Sequence, residues 1–408
     1  MMNIDWTSRC AARTRYFKAS SIREILKITA RPEVISFAGG LPAMETLPTQ
    51  AIADACQTVL KTQPDKALQY GPTEGAPPLR EQIAALYGKQ GIPLTVENIL
   101  VTTGSQQGLD LIGRTLVDSG DRLVMEMPTY IGALQAWRPC QPQFVGVSMD
   151  ADGMRVEQID VSKPIKFVYV LPNFQNPTGV SLSTIRRQHL VEMAHCHDFI
   201  IIEDDPYRSL RYSGVDQPSL LQIEAEMLGL DWNTQGRVIH LGTLSKVMAP
   251  GLRVAWMVAP SAVLRMFVLA KQGADLHSAT LNQYIAAEML RNGVIEGNIP
   301  RLVEIYRARR DAMQDALSRS INGFGTWTHP NGGLFVWVTL PGYHTGELLK
   351  QALMNNVAFV PGCDFYFDNQ GTDSMRLNFS CMPPERITEG IARLGQIIAH
   401  EHVGLGVR

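Results

Sequence analysis

The sequence lacks the signals that mark metal-binding, exported or membrane proteins. Its six cysteines include no CxxC pair and its nine histidines form no HExxH motif, so we expect neither a metal site nor a disulfide framework. No run of about 18 apolar residues occurs, and the first twenty residues lack the apolar segment of a signal peptide. These absences predict a cytoplasmic protein with no membrane partner.

The sequence also has almost no excess of positive or negative charge. The chain has 37 Lys and Arg residues against 39 Asp and Glu, a formal net charge of -2, and no long block of either sign. A nucleic-acid binder is expected to carry a basic patch, so this balance argues against that class of partner. Neither GxGxxG after the first strand nor GxxxxGK[ST] is present, which removes the usual support for a dinucleotide or triphosphate site. We therefore expect a protein that acts on a small molecule and uses a cofactor other than a dinucleotide or a nucleoside triphosphate.

The 408 residues are enough for two or three domains. In the middle of the chain, short apolar runs alternate with helical or turn-rich stretches, which favours a mainly parallel sheet covered by helices on both faces. These runs are residues 98–103, 122–127, 165–171, 199–203, 238–241 and 254–258. Near residue 290 the pattern changes to a long charged helical stretch, a strand-like segment and a closing helix. We predict an N-terminal arm and helix over 1–45 that packs with a small domain over 296–408, and a large cofactor domain over 46–295.

Side chains able to bind anions or donate hydrogen bonds follow two of the predicted strands. Ser105 and Gln106 open a helix after the strand 98–103, where free N–H groups and the helix dipole favour a phosphate. A plain helix cap would have the same sequence. Asn176 lies after the strand 165–171 in the segment LPNFQNPTG, where it either forms a turn or faces a ligand.

Two further strands end in charged and hydroxyl residues. They are Asp204 and Tyr207 in the segment EDDPY, and Thr243, Ser245, Lys246 and Arg253 in the segment TLSKVMAPGLR. Each alone is typical of a solvated strand end. Because a doubly wound sheet brings the carboxyl ends of its strands to one crevice, we expect these side chains to converge. An amine, an acid, a phenol, an amide and a phosphate cradle are together what pyridoxal phosphate requires.

The chain resembles the fold-type-I, class I aminotransferases. The resemblance rests on the order and spacing of GSQQG, PTY, QNPTG, EDDPY, TLSKVMAPGLR and RLNFS. The segments SSIREILKIT, SFAGGLP and ALQYGPTEG place it closest to the 2-aminoadipate and kynurenine aminotransferase branch. It implies an α/β fold in which helices sandwich the mainly parallel, seven-stranded sheet of a large domain, with a smaller α/β domain beside it. It also implies a pyridoxal-phosphate-dependent aminotransferase.

The resemblance implies catalytic roles for four residues. Lys246 binds the cofactor covalently and then moves a proton between the substrate Cα and the cofactor's C4′. Asp204 pairs with the pyridine nitrogen, and its negative charge favours the protonated ring. Asn176 and Tyr207 hydrogen-bond the phenolate oxygen of the ring.

Further residues are implied to hold the cofactor and the substrate. Tyr130 stacks on the pyridine ring. The phosphate is bound by Ser105, Gln106, Thr243, Ser245 and Arg253, and by Tyr70 from the neighbouring subunit of a homodimer. The substrate is bound by Arg376, which clamps its α-carboxylate, by Asn176, by the backbone of Gly39 and Gly40, and by Arg23, which meets a side-chain carboxylate or is merely solvated.

The predicted reaction moves the amino group of an L-amino acid to 2-oxoglutarate or another 2-oxo acid by a ping-pong mechanism. The expected donor is 2-aminoadipate or an amino acid with an aromatic or other bulky side chain. A lyase, decarboxylase or racemase of the same fold is an alternative, because it shares the cofactor apparatus. A regulatory domain that senses pyridoxal phosphate is a remote alternative, because too little sequence precedes the resemblance for a DNA-binding domain.

Overall fold

A computed structural model describes residues 4–18, 24–25, 31–368 and 370–405 of the chain. Arg23 and most of the amphipathic segment at 20–30 lie outside the described residues. Within these ranges the strands are β1 (Ile35–Ser36), β2 (Ile99–Thr103), β3 (Arg122–Met127), β4 (Gln143–Asp150), β5 (Gly153–Met154), β6 (Phe167–Val170), β7 (Ile200–Asp204), β8 (Val238–Thr243), β9 (Val254–Val258), β10 (Thr326–Trp327), β11 (Phe335–Thr339), β12 (Val357–Ala358), β13 (Val360–Pro361) and β14 (Ser374–Asn378).

The helices lie between and after these strands. The α-helices are Thr49–Thr62, Pro64–Leu68, Pro77–Gly88, Ser105–Leu116, Ile131–Trp137, Thr184–His197, Leu220–Leu228, Trp232–Gln235, Ser261–Asp275, Thr280–Arg291, Val294–Ser320, Thr345–Met354 and Pro384–Leu405. Short 3-10 helices cover Thr7–Arg9, Ala12–Tyr16, Met44–Thr46, Val96–Asn98, Arg138–Cys140, Val156–Gln158, Gly229–Asp231, Pro250–Leu252 and Gly362–Phe365.

An eight-stranded sheet in the order β2-β9-β8-β7-β6-β3-β4-β5 forms the centre of the fold. Six of its strands are parallel to one another, whereas β9 and β5 run antiparallel to their neighbours. The sheet has one strand more than the predicted seven. The extra strand is the two-residue β5, which a turn at Gly153 (φ +89°) folds back against the end of β4. The six apolar runs predicted as strands are all strands of this sheet.

In the core of the large sheet, the side chains on both faces are buried. The consecutive residues Phe167 and Val168 in β6 and Ile201 and Ile202 in β7 are all fully buried, although neighbouring side chains of a strand point to opposite faces. Helices must therefore cover both sides, as the continuous apolar runs predict. The strand β4 was missed because it lies near the sheet edge, where it is only partly buried and carries polar residues.

The C-terminal part contains a second, antiparallel sheet in the order β10-β11-β14-β13. The helix Val294–Ser320 packs along the closing helix Pro384–Leu405 beside it. The strand β1 pairs in parallel with β12, with Ile35 opposite Val357. This pairing joins the strand at Ile35–Ser36 to the C-terminal part, while the division into domains at 45/46 and 295/296 stays a prediction.

Two features are missing from the part of the chain that the structure describes. None of its helices is long and apolar enough to span a membrane. None of its His, Cys, Asp and Glu side chains form a group able to hold a metal ion. All six cysteines are free thiols.

Candidate active site

A cleft of about 470 Å³ lies at the carboxyl edge of the central sheet. The parallel strands end there, and the antiparallel strand β9 begins there, so residues distant in sequence meet at one edge. The predicted residues that line the cleft are Gly40, Ser105, Gln106, Tyr130, Asn176, Asp204, Tyr207, Thr243, Ser245, Lys246, Arg253 and Arg376.

Three predicted site residues are not found in this lining. Gly39 is buried, and its neighbour Gly40 supplies the backbone that reaches the cleft. Tyr70 is 78% exposed and sets its ring edge-on to His277, with 5.7 Å between ring centroids. Tyr70 therefore does not reach the cleft of its own chain, and Arg23 lies outside the described residues.

Lys246 lies in the turn that joins β8 to β9. Its ammonium group donates a hydrogen bond to the carbonyl of Gly40, with 2.7 Å between Nζ and O. Burial lowers the pKa of Lys246 to about 8, and the guanidinium groups of Arg376 and Arg253 act in the same direction. An amine with this pKa is partly neutral near physiological pH, as a nucleophile or proton acceptor must be.

Asp204 ends β7 and is only 3% exposed. The hydroxyl of Tyr169 donates to its Oδ2 at 3.0 Å, while its Oδ1 is buried without a hydrogen-bond partner. Burial raises the pKa of Asp204 to about 7, even though the bond from Tyr169 lowers it. A buried carboxylate oxygen without a donor is costly, so Oδ1 fits a ligand N–H such as that of a protonated pyridine.

The start of the helix Ser105–Leu116 forms an anion cradle. Its N-cap, Gly104, has φ +78° and no side chain, so the first N–H groups of the helix are left uncapped. The hydroxyl of Ser105 is buried without a partner. A Cβ at Gly104 would lie 2.0 Å from Nη2 of Arg253, so the absence of a side chain lets that guanidinium lie against the loop. This combination fits a phosphate group.

The other side of the cradle comes from the residues around β8 and β9. Thr243 donates its hydroxyl to Ser245 Oγ at 2.9 Å and accepts the Ser245 backbone N–H at 3.1 Å. Arg253 has φ +55°, a left-handed conformation that is uncommon for a residue other than glycine. Such strain clusters at functional sites. On the far wall, Gln106 Nε2 donates to the carbonyl of Gly132 at 2.9 Å, and a Cβ at Gly132 would lie 2.5 Å from the ring of Tyr130.

Arg376, in β14, is 1% exposed, and three neighbours hold its guanidinium group. Its Nη1 donates to Asn176 Oδ1 at 2.8 Å and its Nη2 to the Ala38 carbonyl at 2.6 Å. The guanidinium carbon lies 4.3 Å from the ring centroid of Phe335, and burial lowers the pKa of Arg376 to about 10. Its Nε is buried without a partner. A planar cation fixed in this way suits a carboxylate.

Asn176 connects two parts of the site. Its carbonyl oxygen accepts from Arg376, and its side chain is also hydrogen-bonded to the hydroxyl of Tyr207. Burial raises the pKa of Tyr207 well above its usual value, so the phenol stays protonated and able to donate. The same amide thus orients both the guanidinium and the phenol.

Sequence reasoning missed Glu126 and Gln175, which hold the loop that carries Asn176. Gln175 Nε2 donates to Glu126 Oε2 at 3.2 Å and to the Pro128 carbonyl at 2.8 Å, while its Oε1 accepts from the hydroxyl of Thr178 at 2.7 Å. Burial raises the pKa of Glu126 to about 8. A signal existed, because a carboxylate inside an apolar strand requires a partner once it is buried.

Comparisons with known proteins agree with this geometry. The sequence model of the family "Aminotransferase class I and II" matches residues 32–394. The aromatic-amino-acid aminotransferase 1 of Thermococcus litoralis is 42% identical over an alignment 408 residues long, which covers 98% of this chain and 96% of the relative. The 2-aminoadipate transaminase of Thermus thermophilus is 39% identical over 402 residues, which cover 98% of each chain.

Solved structures are similar over the same length. The multiple substrate aminotransferase of Thermococcus profundus has a TM-score of 0.91 and 41% identity, with 98% of this chain and 99% of that chain covered. The alpha-aminoadipate aminotransferase of Thermus thermophilus, in complex with N-(5'-phosphopyridoxyl)-L-leucine, has a TM-score of 0.90 and 38% identity over 97% and 99%. The fold is therefore fold type I, the cofactor is pyridoxal phosphate, and the reaction moves an amino group to a 2-oxo acid. The chain belongs to the class I and II aminotransferase family.

Proposed function

We propose that the amino donor of this enzyme is 2-aminoadipate or an L-amino acid with a bulky or aromatic side chain, and that 2-oxoglutarate collects the amino group. The names of three similar proteins support this range, since they refer to aromatic amino acids, 2-aminoadipate and kynurenine. The observation that carries the reaction is the meeting of Lys246, Asp204 and Arg376 in one cleft, which every amino donor requires, whereas the donor range rests on those names. Leu41, which lines the cleft and is 50% exposed, adds apolar surface for a large side chain.

The charged and polar residues of the cleft divide the chemistry. Bound pyridoxal phosphate supplies a ring that draws electrons away from the substrate Cα and makes its proton acidic. Lys246 Nζ would hold the cofactor, and in its neutral form this amine would accept that proton. Asp204 Oδ1 would accept a hydrogen bond from the ring nitrogen, and Asn176 and Tyr207 would donate to the ring oxygen.

The remaining residues hold the cofactor in place. Tyr130 would stack on the ring. The phosphate would be held by the helix start at Ser105 and Gln106, the hydroxyls of Thr243 and Ser245, and the guanidinium of Arg253. Their support is the uncapped helix start, the partnerless Ser105 hydroxyl and the strained Arg253 backbone.

Arg376 binds the α-carboxylate that every amino donor carries. Its guanidinium is fixed by Asn176, by the Ala38 carbonyl and by Phe335, so the carboxylate is held at one position. That position decides which bond of the substrate Cα stands perpendicular to the cofactor ring. The backbone of Gly39 and Gly40 lies on the same side of the site, and Arg23 remains a predicted contact for a side-chain carboxylate.

We further propose a cytoplasmic homodimer in which Tyr70 binds the cofactor phosphate of the neighbouring subunit. Tyr70 is exposed and absent from its own cleft, and six free thiols suit a reducing compartment. Complementation tests the shared site: Tyr70→Ala and Lys246→Ala chains, each inactive alone, should regain activity when unfolded and refolded together. The mixed dimer then has one intact cleft. Persistent inactivity of the mixture, with mixed dimers present, would contradict the sharing of Tyr70.

A panel of amino donors with 2-oxoglutarate tests the donor class. We expect the highest kcat/KM for 2-aminoadipate or for aromatic donors, and glutamate formed in equal amount to the oxo acid of the donor. A preference for alanine or serine would contradict the donor class. Release of carbon dioxide or ammonia without glutamate would indicate the alternative chemistry of a decarboxylase or lyase.

A further inference from the structure

Tyr169 lies in the middle of the central sheet, next to the acid of the site. It belongs to β6 and stands opposite Ile202 of β7, and Asp204 follows Ile202 by two residues on the same face. The side chain of Tyr169 is fully buried, and its hydroxyl donates to Asp204 Oδ2 at 3.0 Å. The other oxygen of this carboxylate, Oδ1, has no partner.

The direction of this hydroxyl is fixed by packing. The ring of Trp137 meets the ring of Tyr169 edge to face, with centroids 5.1 Å apart and an interplanar angle of 87°. The indole of Trp137 in turn donates to the Leu109 carbonyl at 2.8 Å, in the helix that starts at the phosphate cradle. A Cβ at Gly113 would lie 2.8 Å from the indole, so that glycine allows the close approach. The helix of the phosphate site and the hydroxyl beside Asp204 are thus held in one packed unit.

We propose that Tyr169 is a positioning residue whose hydroxyl occupies Oδ2 of Asp204 and thereby presents Oδ1 to the ring nitrogen of the cofactor. A carboxylate turns readily about its terminal bond, so without this donor neither oxygen is favoured. The hydroxyl of Tyr169 keeps its proton and so can donate here, because burial and the nearby Asp204 raise its pKa well above the usual value. The sequence shows Tyr169 only as one member of the apolar run IKFVYVL.

Other charged groups near Asp204 do not replace this hydrogen bond. The partly buried Asp205 and the buried Glu126 are acids that disfavour a charge on Asp204, whereas His240 favours that charge without a hydrogen bond to Asp204. His240 is instead bonded to Glu203, with 2.9 Å between Nδ1 and Oε2. Tyr169 is therefore the group that fixes the orientation of the carboxylate.

The test is Tyr169→Phe, which removes the hydroxyl and keeps the ring that packs on Trp137. The cofactor dissociation constant is measured by equilibrium dialysis of the apoenzyme, without substrate, and visible circular dichroism reports the orientation of the bound ring. We expect about tenfold weaker cofactor binding and a changed dichroism band, because a hydrogen bond to a charged group is lost. The matched control is Tyr212→Phe, which removes another buried hydroxyl, the donor to the Gly333 carbonyl, and should leave both readouts unchanged.

A double-mutant cycle with Asp204→Asn separates positioning from packing. If Tyr169 acts through the carboxylate, the tenfold effect of Tyr169→Phe should shrink to about twofold or less in the Asp204→Asn background. Equal losses of cofactor affinity in both backgrounds would show that Tyr169 acts independently of the carboxylate. If Tyr169→Phe loses no cofactor affinity when Asp204 is intact, the proposal is also overturned. Because no substrate is present, this result does not depend on which amino donor the enzyme uses.

Discussion

Replacing Gly104 with alanine should displace an arginine from the phosphate cradle while the protein stays folded. An alanine Cβ would lie 2.0 Å from Nη2 and 2.6 Å from Cζ of Arg253. These atoms are the end of a flexible side chain, so the guanidinium moves rather than the backbone. Arg253 would then no longer reach a phosphate bound at the start of the helix Ser105–Leu116.

Two separate costs follow from this substitution. The backbone of Gly104 has φ +78° and ψ 159°, a conformation that costs a residue with a side chain on the order of 1–3 kcal/mol in stability. The displaced guanidinium costs cofactor affinity instead, about 1.5–3 kcal/mol for hydrogen bonds between charged groups. At about 1.4 kcal/mol per factor of ten, this is roughly a 10- to 100-fold weaker affinity for pyridoxal phosphate.

The chain offers a matched control for the first cost. Gly91 has a similar φ of +77°, but a Cβ there would meet no atom within 4 Å. The apoenzymes of Gly104→Ala and Gly91→Ala should both melt at a lower temperature than the wild-type apoenzyme. Only Gly104→Ala should need more cofactor to reach half-saturation in an absorption titration. If the two variants bind pyridoxal phosphate equally well, Arg253 does not hold the phosphate and the reasoning is refuted.

Three further predictions concern the charged residues of the cleft. Cofactor attachment to the apoenzyme, followed by stopped-flow absorption, should accelerate as pH rises through about 8, because burial lowers the pKa of Lys246 to about 8; a midpoint near 10.5 would contradict this. Arg376→Lys should raise the KM of every amino donor by about 10- to 100-fold, since a bidentate contact to the shared α-carboxylate is lost; steady-state kinetics showing an effect on one donor only would place Arg376 at the side chain. Asp204→Asn should raise the apoenzyme melting temperature at pH 8, because burial raises the pKa of Asp204 to about 7, so the wild-type fold loses stability as pH rises from about 4 to 7. Calorimetry that shows a lower melting temperature for this variant would contradict the cost assigned to the charged carboxylate.

The position of the site could be predicted because it follows from the sheet. Asp204 comes directly after an apolar run, and Lys246 and Asn176 each come five residues after one, so parallel strands place all three near one edge. The family motifs then assign a role to each residue. The same reasoning explains Arg253, which precedes the antiparallel strand β9 and so reaches the same edge from the opposite direction.

Other parts of the site could not be read from spacing. Tyr169 and Glu126 lie inside buried strands. The run of apolar residues identifies each strand, but it does not show what a single polar residue within it contacts. Gln175 contacts residues that are far from it in the sequence. These contacts depend on the path of its loop, which cannot be predicted from the local sequence. Tyr70 is a different case, because its predicted partner belongs to another subunit and the fold of one chain leaves it exposed.

The shifted pKa values of the cleft indicate that burying these charged residues lowers the stability of the fold. Burial lowers the pKa of Lys246 to about 8 and of Arg376 to about 10, and raises the pKa of Asp204 to about 7, so each shift disfavours the charged form. Each group also keeps a polar atom, or a charge, that the protein only partly satisfies. A carboxylate is the complement of Arg376 and a ring N–H is the complement of Asp204, so binding these two groups offsets part of the cost of burying the charges. The cleft is therefore preorganised for an anionic cofactor and an amino acid, and its affinity for them comes from interactions that the apoenzyme leaves unmade.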